Sequence, residues 1–272
     1  MNLPRLKTVL LAPIVLFVLF YIVGVIMVLR DDRSVVPLNG VLVEPTTVAI
    51  FGASGTAGDG ILKAALASAD IEKIHVITRR ITPRMEEGVK SGKVQLTVHK
   101  NYLDYEDIIK QFVEVEAVYW AIGISSVGAD EKKYGLIHVD FPMQFVAAWS
   151  NVSQVRDISF HFISSSDISE KSTTMWVREK IRAEQSLFAF AEDSKMRVIA
   201  YRPDFIGSTK EQSHLGQEIL YWFFAPVGAA IRAEQIGQAM IEVSLRWSEF
   251  DSGDKLSTAK IIRYSDAYQN RR

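Results

Sequence analysis

The sequence contains no cysteine. That excludes a disulfide scaffold, a thiolate metal site, an iron–sulfur centre and a cysteine nucleophile. Histidine is scarce, with five in all, and no two stand at metal-ligand spacing. Net charge is nearly absent as well: 31 basic residues face 32 acidic ones, leaving −1. A general nucleic-acid binder would carry a basic excess, so no nucleic-acid partner is expected. There is no internal repeat and no low-complexity stretch. What the 272 residues do have is apolar material, 48% of the chain, which excludes disorder as the main state.

Charge is missing most completely from residues 9–29, where 21 consecutive positions carry none. As a helix this run is roughly 32 Å long, enough to cross a bilayer core. Arg5 and Lys7 precede it, and Arg30, Asp31, Asp32 and Arg33 follow. Pro13 and Gly24 are tolerable in such a helix. A cleaved signal peptide is the alternative, but its apolar region would span about 7–15 residues and end in small residues. Here the run is longer and ends Val-Ile-Met-Val-Leu-Arg. Residues 1–30 are therefore read as an uncleaved membrane anchor in contact with lipid. A single-pass protein of the endoplasmic reticulum or mitochondrial membrane is expected. Basic residues flank both ends, so the side of the membrane stays open. An Asn151-Val152-Ser153 sequon is compatible with a lumenal domain.

Residues 31–46 read as a linker and residues 47–272 as one domain. With three of the basic residues in the first 30 positions and all acids beyond them, residues 31–272 carry a net −4. The domain opens with Thr47-Val48-Ala49-Ile50-Phe51, an apolar run fit for a buried parallel strand. Gly52-Ala53-Ser54-Gly55-Thr56-Ala57-Gly58 follows, and then Ile61, Leu62, Ala65 and Leu66 recur at helical spacing. Strand, glycine turn and helix are what a pyrophosphate needs: close backbone approach and the free N–H groups of a helix start. The spacing, G-x-x-G-x-x-G, differs from the G-x-G-x-x-G dinucleotide form. Gly52, Ser54, Gly55, Thr56, Ala57 and Gly58 are the candidate phosphate cradle.

A second strand, residues 74–78, ends at Thr78 with Arg79 and Arg80 behind it. A site for NAD usually places an acid there for the ribose 2′-hydroxyl. Arginine suits a 2′-phosphate instead, so NADP(H) is the expected cofactor. The plain alternative is that both arginines are solvated loop charges. Further strands are expected over 94–98, 117–122, 160–163 and 198–201, with a helix over 105–113 capped by Asp104. The fold class is α/β, a doubly wound parallel sheet of Rossmann type with one N-terminal transmembrane helix. Arg79, Asn101, Gly123, Ser164 to Ser166 and Pro203 all fall at carboxyl ends of strands, where such sheets bind ligands.

These features resemble the short-chain dehydrogenase/reductase superfamily, and within it atypical members such as NmrA-like and Tat-interacting oxidoreductase-like proteins. The resemblance rests on the glycine turn, Thr78-Arg79-Arg80, Ala121-Ile122-Gly123, Phe162-Ile163-Ser164-Ser165, Lys180 and Arg202-Pro203. The stretches 134–147 and 231–240 are similar to two helices of that group. The resemblance implies cofactor contacts from Asn101, Gly123, Lys180 and Pro203. It also implies a catalytic serine, Ser165 (or Ser164), and a catalytic lysine, Lys180. Family enzymes use Tyr-x-x-x-Lys, with the tyrosine as acid/base and the lysine lowering its pKa. Four residues before Lys180 stands Trp176, whose indole is a donor only. Tyr134 and His138 are the possible stand-ins. Two readings stay open: a reductase of a carbonyl on a hydrophobic substrate by a non-standard mechanism, or a catalytically silent sensor or subunit of a membrane assembly. The aromatic run 219–227 is expected in the core, with a substrate lid or a membrane patch as alternatives.

Overall fold

The computed structural model describes residues 6–31, 37, 38, 40, 42, 45–213 and 215–271. Arg5, Asp32, Arg33 and most of the 31–46 linker lie outside the described residues. Helix α1 runs Leu6–Arg30 through Pro13, and from Pro13 to Arg30 none of it is buried. It is long and apolar enough to cross a membrane.

The domain is built on strands β1 (Thr47–Phe51), β2 (Lys73–Thr78), β3 (Val94–Val98), β4 (Ala117–Trp120), β5 (Ile158–Ile163) and β6 (Met196–Arg202). A short β7 (Phe205–Gly207) pairs with β8 (Ala230–Arg232), and β9 (Lys255–Ser257) returns to the main sheet. The main sheet has seven strands in the order β3-β2-β1-β4-β5-β6-β9, every neighbouring pair parallel. This is the Rossmann-type order, reversing direction beside β1. The intervening helices are α2 (Thr56–Ala67), α3 (Pro83–Lys90), α4 (Glu131–Gly135), α5 (Phe141–Val152), α6 (Met175–Glu192), α7 (Leu215–Phe224), α8 (Ala233–Leu245) and α9 (Thr258–Arg271).

Alternation along each strand divides the core into two layers. Val48 and Ile50 face an aliphatic layer with Ile61, Leu62, Ile236 and Met240. Ala49 and Phe51 face an aromatic layer with Phe112, Trp120, Phe145 and Trp149. The Phe51 ring lies 4.5 Å from Phe145 and 4.7 Å from Trp120, centroid to centroid. On the aliphatic side α2 and α8 approach backbone to backbone. A Cβ on Gly60 would lie 2.1 Å from the Ala233 carbonyl carbon, and one on Gly237 would lie 2.7 Å from Ile61 Cα.

Four expectations need correction. Residues 105–113 do not form an α-helix; a 3-10 turn covers only Ile109–Phe112. The Tyr105 carbonyl accepts from both Ile108 and Ile109, and the β-branched Ile108, Ile109 and Val113 weaken an α-turn. Asp104 accepts from Glu106 N–H (3.0 Å) and so caps a turn rather than a helix. Strand β4 stops at Trp120 rather than residue 122, although Ala121 N–H still reaches Phe51 O at 3.0 Å. β9, with Leu256 alone buried, was too short to show alternation. The run 219–227 is not core: no residue of α7 is buried. The expected helix over 134–147 forms, but it passes through a π-turn at Leu136–Asp140. Pro142 lacks the N–H that would close an α-turn on His138 O, and Phe141 N–H bonds Leu136 O instead.

The α2–α8 approach is open to test. Gly60→Ala and Gly237→Ala should each cost about 1–3 kcal/mol in urea unfolding. Gly216→Ala, in the first turn of α7 where a Cβ meets nothing within 4 Å, should cost nothing and should stabilise by up to about 1 kcal/mol through helix propensity.

Candidate functional site

The first half of the site is the turn from β1 into α2. Gly52 has φ +80°, and a Cβ there would lie 2.6 Å from the Ala121 carbonyl carbon. A Cβ on Gly58 would lie 2.1 Å from Gly52 O. Both positions therefore need glycine on steric grounds. Gly55 differs: a Cβ would meet only Gly52 O, at an ordinary 3.5 Å. Its N–H bonds Gly52 O (3.0 Å), and it stands at the N-cap of α2 with no side-chain cap. The helix-start amides of Thr56, Ala57 and Gly58 thus have no intrahelical acceptor, and the positive end of the helix dipole is open.

This turn forms one wall of a cleft at the carboxyl ends of β1, β2 and β4. Thr78, Arg79 and Tyr102 line a second wall, and Ala121 to Gly123 a third. Thr78 is held in a local turn, donating to Arg80 O at 2.7 Å. Arg79 is exposed, its guanidinium carbon 5.9 Å from the Tyr102 ring centre. Arg80 turns back to the glycine loop, where Nη2 donates to Ser54 O at 3.2 Å. Burial pushes the Tyr102 phenol up to about 12, against the pull of Arg79. Asn101 does not line the cleft: its side chain accepts from Leu103 N–H (3.3 Å) and shapes its own turn. Tyr102, one residue on, takes that wall. Its aromatic character directly after β3 was the available signal.

The second half lies at the ends of β5 and β6. Ser164 N–H bonds Tyr201 O (2.7 Å) and Ser166 N–H bonds Pro203 O (3.3 Å), which fastens the two loops together. The hydroxyls of Ser164 and Ser166 are buried and find no partner among the described residues. Ser165 is half-buried. Lys180 is buried on α6 and donates from Nζ to Ile163 O at 3.0 Å. Burial lowers its pKa to about 8, although Glu184 pulls the other way. Glu184 in turn holds Arg202 through a two-pronged ion pair. Trp176 is half-buried one turn before Lys180, on the same face of α6.

His138 joins the two halves. Its Nε2 lies 3.2 Å from both the amide nitrogen and the carbonyl oxygen of Ile124, and a Cβ on Gly123 would lie 2.8 Å from its ring. Tyr134 stacks on it at 4.1 Å. Burial, with Lys180 adding to it, drops the His138 pKa to about 3. Burial and Glu179 push Tyr134 up to about 12. Neither stand-in is poised to move a proton near neutrality. Of these three groups Lys180 titrates nearest to it.

The fold is similar to that of solved oxidoreductases. An oxidoreductase of the short-chain dehydrogenase/reductase family from Burkholderia thailandensis matches with a TM-score of 0.63 at 14% identity, covering 79% of this chain and 92% of that one. The 3-oxoacyl-[acyl-carrier protein] reductase from Brucella melitensis, solved in complex with NAD, gives 0.61 at 13%, covering 81% and 98%. At these identities the likeness is one of fold. By sequence, the chain is similar to the leucinostatins biosynthesis cluster protein T of Purpureocillium lilacinum, 23% identical over 173 residues. That alignment takes in 63% of this chain and spans 61% of the relative's length. No family model matches the chain.

His161 shares the condition of His138. It is fully buried between Tyr201 OH (3.0 Å) and Ser159 Oγ (2.9 Å), and burial lowers it to about 3. Both imidazoles stay neutral in the fold, whereas the unfolded chain protonates them below about pH 6.5. Stability is therefore fully present above pH 6.5 and is lost as pH falls toward 3. At pH 5 each should cost about 2 kcal/mol. His138→Gln should remove its share of that loss when urea unfolding at pH 7 and pH 5 is compared. An unchanged difference would place His138 in water.

Proposed function

We propose that this chain is a membrane-anchored NADP(H)-binding protein. The observation that carries the reading is the pairing of the uncapped glycine turn with Arg79 in one cleft, where β2 ends in Thr78 rather than an acid. The turn would take the pyrophosphate on its backbone amides. Arg79 would take the 2′-phosphate by charge-assisted hydrogen bonds, and Arg80 would brace the loop from behind. Gly123 shapes the far wall, Pro203 O holds the Ser166 amide, and Lys180 and the unpartnered serine hydroxyls would stand at the reactive end. When bound, such a cofactor supplies two-electron reducing chemistry. Complexes of similar folds with NAD support the dinucleotide; the preference for the phosphorylated form rests on the arginines.

The enzymatic reading is reduction of a carbonyl on a hydrophobic molecule reached at the membrane. Ser165 would hold the substrate oxygen. Lys180, bonded to Ile163 O, would raise the positive potential around it. The second reading, a cofactor-binding sensor or subunit without turnover, is favoured by a specific observation. Trp176 replaces the acid/base, and Tyr134 and His138 are both held far from neutrality. The lost acid/base is worth about 10²–10⁴-fold in rate. The anchor reading is supported over a cleaved signal by α1's packing on the domain: Tyr21 OH donates to Phe223 O (2.9 Å) and Asp31 pairs with Arg263 (2.9 Å).

Calorimetry on the full chain in nanodiscs tests the cofactor. NADPH should bind at least tenfold tighter than NADH, and Arg79→Ala should erase the difference while leaving NADH binding unchanged. Equal affinities in the parent would sink the phosphate assignment, and no binding of either would sink the cofactor. Turnover is tested separately with NADPH and long-chain aldehydes. The enzymatic reading expects a rate that Lys180→Ala abolishes; no rate in the parent favours the silent one.

A further inference from the structure

Helix α7 is amphipathic the wrong way round for a soluble domain. Leu215, Ile219, Trp222 and Phe223 recur at i, i+4, i+7 and i+8, so they share one face, and they are 79%, 60%, 68% and 42% exposed. The opposite face turns its polar groups inward. Gln217 accepts from Ser208 Oγ (2.8 Å), Glu218 pairs with Arg232 (2.8 Å), and the Arg232 guanidinium carbon lies 3.6 Å from the Tyr221 ring centre.

The exposed face runs directly into the surface of α1. Phe223 stacks on Phe17 at 6.1 Å and lies 5.5 Å from Tyr21, and Tyr21 OH donates to Phe223 O. Beyond it, Val28, Met27, Val227 and Ile262 line an apolar groove edged by Arg30 and Arg263. Depth agrees with this continuity. If the bilayer core, about 30 Å, begins at Val9, where the uncharged run starts beyond Lys7, it takes about 20 residues of helix and ends near Val28. Tyr21 then lies about 10 Å inside the near boundary, at the inner limit of the roughly 5–10 Å at which interfacial helices sit. Arg30 falls about 3 Å outside it, at headgroup level.

We propose that α7 is an interfacial membrane helix that lays its Leu215–Ile219–Trp222–Phe223 face into the lipid of the bilayer that α1 spans, so that the domain is held flat against the membrane rather than tethered away from it. This rests on the reading of α1 as an anchor and is independent of the cofactor. The occupant is lipid, because the face is continuous with a surface already given to lipid and its four side chains are uncharged, the Glu218 carboxylate beside Trp222 being neutralised by Arg232. The docked helix is also tied to the glycine turn. The segment just before it donates from Thr209 Oγ1 to Asp59 on α2, at 2.7 Å.

The absence of cysteine allows single nitroxide labels on the full chain in phosphatidylcholine nanodiscs. Trp222→Cys and Ile219→Cys labels should be accessible to oxygen and shielded from a nickel chelate, at a depth of about 5–10 Å. A Val127→Cys label, on a loop position 89% exposed, should read as water. A Val18→Cys label reports α1 by itself. Labels at 219 and 222 open to nickel while 18 lies in lipid would overturn the docking and leave the anchor standing. A water reading at 18 would remove the anchor and the docking together. Shielding from both reagents at 222, or dipolar coupling between 222 labels of two chains, would assign the face to protein and overturn the proposal.

Discussion

The approach of bare backbone to bare backbone around Gly52 and Gly58 is the constraint on which the rest of the molecule depends. There is no room for a methyl group at either position, because the carbonyl of Ala121 and that of Gly52 occupy it. This contact sets the end of β1 against the end of β4 and fixes where α2 begins. α2 in turn is docked on α8 through Gly60 and Gly237, so the C-terminal third of the chain takes its position from the same element. The uncapped amides at the start of α2 are a by-product of that geometry. They face the cleft because the turn has no other way to run.

The far side of the site is organised by buried charge instead. Lys180 is kept between Ile163 O and the Glu184–Arg202 pair, and burial holds its pKa down. Buried ions are costly unless fully partnered, and removing one partner strands the other. The Ser164 and Ser166 hydroxyls, unpartnered among the described residues, lie on the loop that begins at the carbonyl Lys180 holds. Among the described residues here, only Lys180 titrates near neutrality. His138 and Tyr134 sit close enough to matter, yet the same burial that packs them takes them out of the useful titration range. The proposed cofactor binding and the proposed catalysis therefore rest on different residues and different physics.

The third region, α1 with α7, reverses the usual rule for a domain surface. Polar side chains on α7 look inward to Arg232 and Ser208, and aromatic ones look outward beside Phe17 and Tyr21. A groove edged by Arg30 and Arg263 continues that surface toward α9. Helix α1 and the domain are thus joined by packing and by the Asp31–Arg263 pair, as well as by the chain that connects them.

The sequence by itself determined the parallel sheet, the glycine turn, the absence of an acid after β2 and the apolar N-terminal helix. Each is a local signal: periodicity, a glycine spacing, one residue type at one position, or a run without charge. It misplaced the 105–113 helix and the aromatic run of α7, and it missed β9 and the place of Tyr102 in the cleft wall. Those depended on which face of an element meets which neighbour. Apolar residues alone do not say whether a protein core or lipid will cover them. Only the tertiary structure decided that Trp222 points outward, that Tyr102 and not Asn101 walls the cleft, and that His138 lies against Gly123. Burial, and with it the pKa of Lys180 and of the histidines, belongs to the packed molecule, because it is created by residues distant along the chain.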